Sequence, residues 1–265
     1  MRLLRRTLIT VVATVAVVFV GANWIVPVAL SFYAAKTAPP VARVVPTDLK
    51  DQSVSESPGT RLSYFGYEFE IPWSDLDETQ TTLYPKDKPE KYKVDLRFRS
   101  GLRLVIGALP PRMWVNDVAK DLNVSPQDIE STFGRETMKS DYSFMKALYE
   151  FTPDNVNHWT AWQDAHNRDK LFLIIKSLAP PQAAETGIFN LQNHTYKGFQ
   201  LGNPRVRPDR ILVDLYSDKN AAEMIFLQKD YRNAIGVTQP EINRIVRSLH
   251  RASQDTPAAT QTVNN

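Results

Sequence analysis

The hydrophobic pattern divides this chain into one long unbroken apolar run and a much longer stretch of short, periodic segments. From Thr7 to Ala35 there are 29 residues without a charge, and a helix needs about 20 such residues to cross a bilayer core. The pattern predicts one N-terminal transmembrane helix. Further on, Phe65, Tyr67, Phe69 and Ile71 alternate with Gly66, Glu68 and Glu70, the period-two signature of a half-buried strand over Tyr64–Ile71. Val94, Leu96 and Phe98 repeat that period, as do Leu102, Leu104 and Ile106 after Ser100-Gly101, which predicts a hairpin with a two-residue turn.

The period then changes. Val115, Val118, Ala119 and Leu122 recur at helical spacing, Ser125-Pro126 reads as an N-cap with proline at the first helical position, and Ser140 and Thr152-Pro153 offer further starts. Three or four helices are expected between Arg112 and Asn167. Strands are expected again at Leu171–Leu178, Gly187–Gln192, Tyr196–Leu201, Arg210–Tyr216 and Glu223–Gln228. Thr238-Gln-Pro-Glu241 forms a capping box ahead of a helix striped with Ile242, Ile245, Val246 and Leu249. Strands, helices, strands and a closing helix define an α+β class with a largely antiparallel sheet packed with helices.

The domain plan follows from composition. Residues 1–35 form a cytoplasmic stub and transmembrane anchor. Residues 36–60, with Pro39, Pro40, Pro46 and Pro58, have the composition of an extended linker. Residues 61–252 are long enough for one globular α+β domain, and the Ser/Gln/Thr/Asn-rich stretch 253–265 reads as a disordered tail. Arg2, Arg5 and Arg6 precede the apolar run, which keeps the N-terminus cytoplasmic and places the remainder outside the cytoplasm. Cleavage after Ala22, with Val20 at the minus-three position, is the competing reading. Against it, the apolar run continues through Trp24, Ile25, Val26, Val28, Ala29, Leu30 and Phe32, longer than a signal peptide's core.

Charge changes the picture little. The net charge of +3 is carried by the three arginines of residues 1–35, and the remaining 230 residues sum to zero. Without a basic surface there is no electrostatic footprint for nucleic acid. The chain has no cysteine, which excludes disulfides and thiolate-bound zinc or iron–sulfur centres.

Candidate chemistry is sparse. Ser143-Phe-Met-Lys146 has the Ser-x-x-Lys spacing of a lysine-activated serine nucleophile, the basis for an alternative reading as an envelope hydrolase or acyl transferase. Ser and Lys are common enough here for that spacing to arise by chance, and the Ser-Asp-Asn and Lys-Thr-Gly companions are missing. His158 and His166 flank Trp159 and Trp162, near Asp164 and Asp169. Eight residues along a helix separate the two histidines by about 12 Å, too far for one ion, so an amphipathic helix is the simpler reading. Asp75, Asp77 and Glu78 begin like a calcium loop but lack the glycine and the distant Glu that complete one. The mixed-charge run Lys86–Lys93 reads as a solvated loop. No phosphate-binding glycine loop is present. No catalytic, cofactor-binding or metal residue is therefore assigned. Trp73 and Trp114, if exposed together, would mark a protein-docking surface.

In element order alone, Gly66-Tyr-Glu-Phe-Glu-Ile-Pro-Trp73, the later meander and the final helix ending Ile245-Val-Arg-Ser248 resemble PsbP-like domains over residues 62–250. The resemblance implies a fold and no site residues. The whole chain also looks like uncharacterised single-pass membrane-anchored bacterial proteins. The function expected is an extracytoplasmic binding or envelope-assembly protein with the membrane and a protein as partners, without catalysis, cofactor or nucleic acid.

Overall fold

The computed structural model describes residues 26–84, 92–121, 123–156, 166–177, 179, 181, 183–217, 221–228 and 236–252. They build an α+β protein with antiparallel-rich sheets packed with helices. Where the sequence reads residues 61–252 as one domain, the described residues fall into two compact units, 26–45 with 114–185, and 46–113 with 186–252.

The first unit is helical, with α1 at Val26–Thr37, α2 at Met113–Asp121, α3 at Pro126–Phe133, α4 at Asp141–Glu150 and α5 at His166–Ser177. Local sequence explains the starts and stops. Ser125 Oγ accepts from the Asp128 amide at 3.1 Å while the Asp128 carboxylate accepts from the Ser125 amide at 3.2 Å, a reciprocal cap for α3. Gly134, at φ +80°, ends that helix. Ser140 Oγ accepts from the Ser143 amide to open α4. Aromatic rings fill the interior: Phe172 lies 4.6 Å from Phe133 and 5.2 Å from Phe151, and Phe133 meets Phe144 edge-on at 5.2 Å.

Helix α5 corrects the strand expected at Leu171–Leu178. Its inward positions are Asp169, Phe172, Leu173 and Lys176, all buried, spaced as one helical face. Lys176 is fully buried, and its Nζ donates to the carbonyls of Tyr149 at 2.7 Å and Phe151 at 2.5 Å. Those groups end α4, where a cation is favoured. Burial nevertheless pulls the Lys176 ammonium down to about 8.

The second unit contains strands β1 (Thr47–Asp48), β2 (Thr60–Tyr64), β3 (Tyr67–Ile71), β4 (Thr82–Tyr84), β5 (Tyr92–Arg97), β6 (Leu102–Leu109), β7 (Ile188–Gln192), β8 (Lys197–Leu201), β9 (Arg210–Tyr216), β10 (Ala221–Gln228) and β11 (His250–Arg251), with helix α6 at Gln239–Ser248. Eight strands form one sheet in the order β1-β7-β8-β9-β10-β6-β5-β4, and β11-β3-β2 form a second. The β1–β7 pair is parallel and the remaining pairs are antiparallel. Their common core takes Leu96, Leu104, Ile106, Val213, Leu215 and Met224 from the large sheet, Phe69 and Ile71 from the small one, and Ile242, Ile245, Val246 and Leu249 from α6.

Two turns differ from expectation. The single strand expected over Tyr64–Ile71 is a hairpin end, because Phe65 and Gly66 both take positive φ, 54° and 75°, the conformation of a two-residue turn that follows strand twist. The β5–β6 connection is longer than two residues. Phe98 pairs its amide with the Leu102 carbonyl, Gly101 donates back to the Phe98 carbonyl, and Gly101 sits at φ 87°, a three-residue loop closed by a glycine bulge.

The transmembrane expectation falls mostly on residues 1–25, outside the described residues. No helix among the described residues is long and apolar enough to cross a membrane.

Candidate functional site

The sequence-derived candidates are dispersed or occupied. Ser143 Oγ hydrogen-bonds Ser140 Oγ at 2.9 Å, whereas Lys146 reaches Glu150 at 3.8 Å, so serine and lysine are turned to different partners. His158, Trp159, Trp162 and Asp164 lie outside the described residues, as does the side chain of His166. Asp169 is buried beside Arg168 at 3.4 Å. Asp75 accepts from the Ser100 amide at 2.8 Å and Asp77 from the Thr79 amide at 3.1 Å, which makes both carboxylates turn-closing groups. Residues 86–91 of the mixed-charge run Lys86–Lys93 are outside the described residues.

The two tryptophans are not exposed together. Trp73 is half-buried, edge-on to Phe98 at 5.1 Å, and its Nε1 donates to Glu241 at 2.9 Å. That carboxylate also accepts from the Thr238 amide at 2.7 Å, so Trp73 braces the cap of α6. Trp114 has its Nε1 buried without a hydrogen-bond partner.

What the structure does assemble is a cradle on α6 that holds residues 51–59 by their main chain. Asn243 Nδ2 donates to the carbonyls of Asp51 at 2.9 Å and Ser53 at 2.7 Å. Arg247 donates to the Gln52 carbonyl at 2.7 Å, and Arg244 to the Ser55 carbonyl at 2.9 Å and the Ser57 carbonyl. In return the Ser55 amide donates to the Pro240 carbonyl at 3.0 Å. Gly59 leaves room for the guanidinium, since a Cβ there would come within 2.7 Å of Arg244.

The cradle is pre-set from below. Gln200 and Gln239 exchange amide hydrogen bonds at 2.8 and 2.9 Å, and Gln239 Nε2 also donates to Asn243 Oδ1 at 3.0 Å. All three amides are buried, and their mutual satisfaction fixes which way Asn243 faces. Glu70 holds Arg244 from the side at 3.3 Å. Where this strap of residues 51–59 begins, hydrogen bonds from the Ser53 hydroxyl and amide, with Arg205 alongside, keep Asp51 below the usual carboxylate range.

Chemically this is a donor array that reads mainly main-chain carbonyls, with Asp51 and Gly59 the positions where the side chain, or its absence, also counts. Sequence reasoning treats residues 36–60 as a spacer and assigns no role to the polar side of α6. The available signal was Asn243, Arg244 and Arg247 at helical spacing on the side opposite the Ile242/Ile245/Val246/Leu249 stripe.

Replacing Asn243 with Leu leaves two strap carbonyls and one Gln239 donor unpaired, so stability should fall by about 1–3 kcal/mol. Urea denaturation reads that loss. Limited proteolysis should show earlier cutting within 51–59, whereas an unchanged cleavage pattern would mean that Asn243 does not hold the strap.

Comparisons of the chain with protein-family models, with curated proteins and with solved structures gave no match.

Proposed function

We propose that this chain is a single-pass membrane protein, N-terminus cytoplasmic, whose extracytoplasmic α+β part binds a protein partner or serves an envelope assembly without catalysing a reaction. The observation that carries the membrane part is the uncharged run Thr7–Ala35 behind Arg2, Arg5 and Arg6. The reading without catalysis is supported by how these polar groups are spent, each on the chain's own backbone. Asn243, Arg244 and Arg247 recognise backbone, and Asp75, Asp77 and Glu241 close turns and caps. The resemblance to membrane-anchored bacterial proteins points to an envelope setting, and the PsbP-like element order adds a fold without residue roles.

Topology is the test. In bacterial cells, a C-terminal alkaline phosphatase fusion should be active, the matching green fluorescent protein fusion dark, and the chain retained in membranes after carbonate washing. Release by carbonate, or the opposite reporter pattern, would overturn the reading.

A further inference from the structure

Helix α1 is built inside out. Ser31 is fully buried and Ala35 nearly so, with Val28 and Ala34 half-buried beside them, while Val26, Leu30, Phe32 and Tyr33 are exposed, Tyr33 to 67%. At 3.6 residues per turn these fall on opposite sides. Ser31 and Ala35 face inward, where α1 packs against α5, and most of the bulky apolar residues face out. A water-facing helix has the reverse order. Small residues at the helix contact and large apolar ones outside are the arrangement of helices packed in lipid. On α5, Ile174 is also exposed.

The chain before α1 identifies what covers this face. Residues 7–25 are 19 consecutive uncharged positions ending where α1 begins. As a helix they would rise about 28 Å, close to the thickness of a hydrocarbon core of about 30 Å. A span of that length delivers Val26 to the bilayer boundary. Tyr33 then falls in the headgroup zone that tyrosine favours, and Lys36 and Thr37 follow as the first polar, exposed positions.

We infer that the outward face of α1, formed by Val26, Ala29, Leu30, Phe32 and Tyr33, is a lipid-contact surface that seats the helical unit on the outer boundary of the bilayer. The inference rests on the membrane-anchored reading. It adds that the unit touches lipid directly instead of hanging from a free tether.

Because the chain has no cysteine, single reporters can be placed without background. Full-length Leu30→Cys, Tyr33→Cys and, as a water-facing control, Val206→Cys are spin-labelled and reconstituted into phosphatidylethanolamine–phosphatidylglycerol vesicles, with circular dichroism to verify folding. The ratio of collision with dissolved oxygen to collision with a nickel chelate should be several-fold higher at 30 and 33 than at 206. Nickel access at 30 and 33 equal to that at 206, in carbonate-resistant protein, sinks the lipid contact and leaves the anchor standing. Strong dipolar broadening between labels at 30 would assign the face to a second copy, also overturning the inference. Loss of the protein from the vesicles under carbonate would end both readings.

Discussion

Gly198→Ala should prevent the second unit from folding, or destabilise it beyond about 4 kcal/mol, a loss that single substitutions reach only through a severe local conflict. Gly198 is the second residue of β8 and stands opposite Leu191 on β7 and Leu215 on β9. A Cβ at this position would overlap the Asp214 carbonyl oxygen and come within 2.8 Å of the Asp214 carbonyl carbon and 3.0 Å of the Leu215 Cα. All three are backbone atoms of the paired strand, so no rotamer change relieves the clash. The ladder itself would have to open, inside an eight-stranded sheet, and buried peptide groups would lose their partners. Soluble yield and far-ultraviolet circular dichroism test this. Gly66→Asn is the tolerated comparison, because nothing lies within 4 Å of its added Cβ and Asn accepts positive φ. Normal yield and unchanged stability for Gly198→Ala would mean that β8 and β9 are not paired in this register.

Elements whose local signal and tertiary role agree were readable in advance. Helix α6 starts at the Thr238–Glu241 box and buries the anticipated stripe, and β9 spans Arg210–Tyr216 as expected. Helix α5 was misread because its inward face begins and ends with buried charged residues, Asp169 and Lys176. A hydrophobicity pattern sees only Leu171–Ile175 between them, and a five-residue apolar run cannot by itself separate strand from helix. The Phe65-Gly66 turn was hidden for a related reason. Phe65 keeps the aromatic alternation going, yet its backbone is left-handed, a conformation that Asn or Asp would have advertised.

The cradle was less legible still. Residues 51–59 carry few large side chains because their carbonyls make the attachment, and the donors lie about 190 positions later in the chain. Neither half is a motif alone. Conversely, Ser143 and Lys146 satisfied a spacing rule, and the helix turned them toward Ser140 and Glu150. Spacing places side chains on an element; hydrogen-bond partners decide what they do there.

The same logic makes Arg103 the other sensitive position. Asp95 on β5 is fully buried, and Arg103 on β6 grips it with two hydrogen bonds, Nε to Oδ1 at 2.6 Å and a terminal nitrogen to Oδ2 at 2.7 Å. Arg97 is a weaker third member at 3.4 Å. Hydrogen bonding to Asp95 pushes the Arg103 guanidinium above its ordinary range. The pair is asymmetric, since the Asp95 side chain is 1% exposed and that of Arg103 39%. Removing Arg103 leaves a buried carboxylate with only the longer Arg97 contact, whereas removing the acid leaves a guanidinium that already reaches water. Arg103→Met should therefore cost about 3 kcal/mol, the low end for breaking a buried pair because one partner is solvated. Asp95→Asn should cost less, about 1–2 kcal/mol. Replacing both, Arg103→Met with Asp95→Leu, should recover much of the single-variant loss, since apolar groups of similar volume can substitute for a buried ion pair. Urea denaturation of all three variants gives the comparison. If Arg103→Met cost no more than Asp95→Asn, the asymmetry of burial would not be what governs this pair, and Arg97 would have taken over the carboxylate.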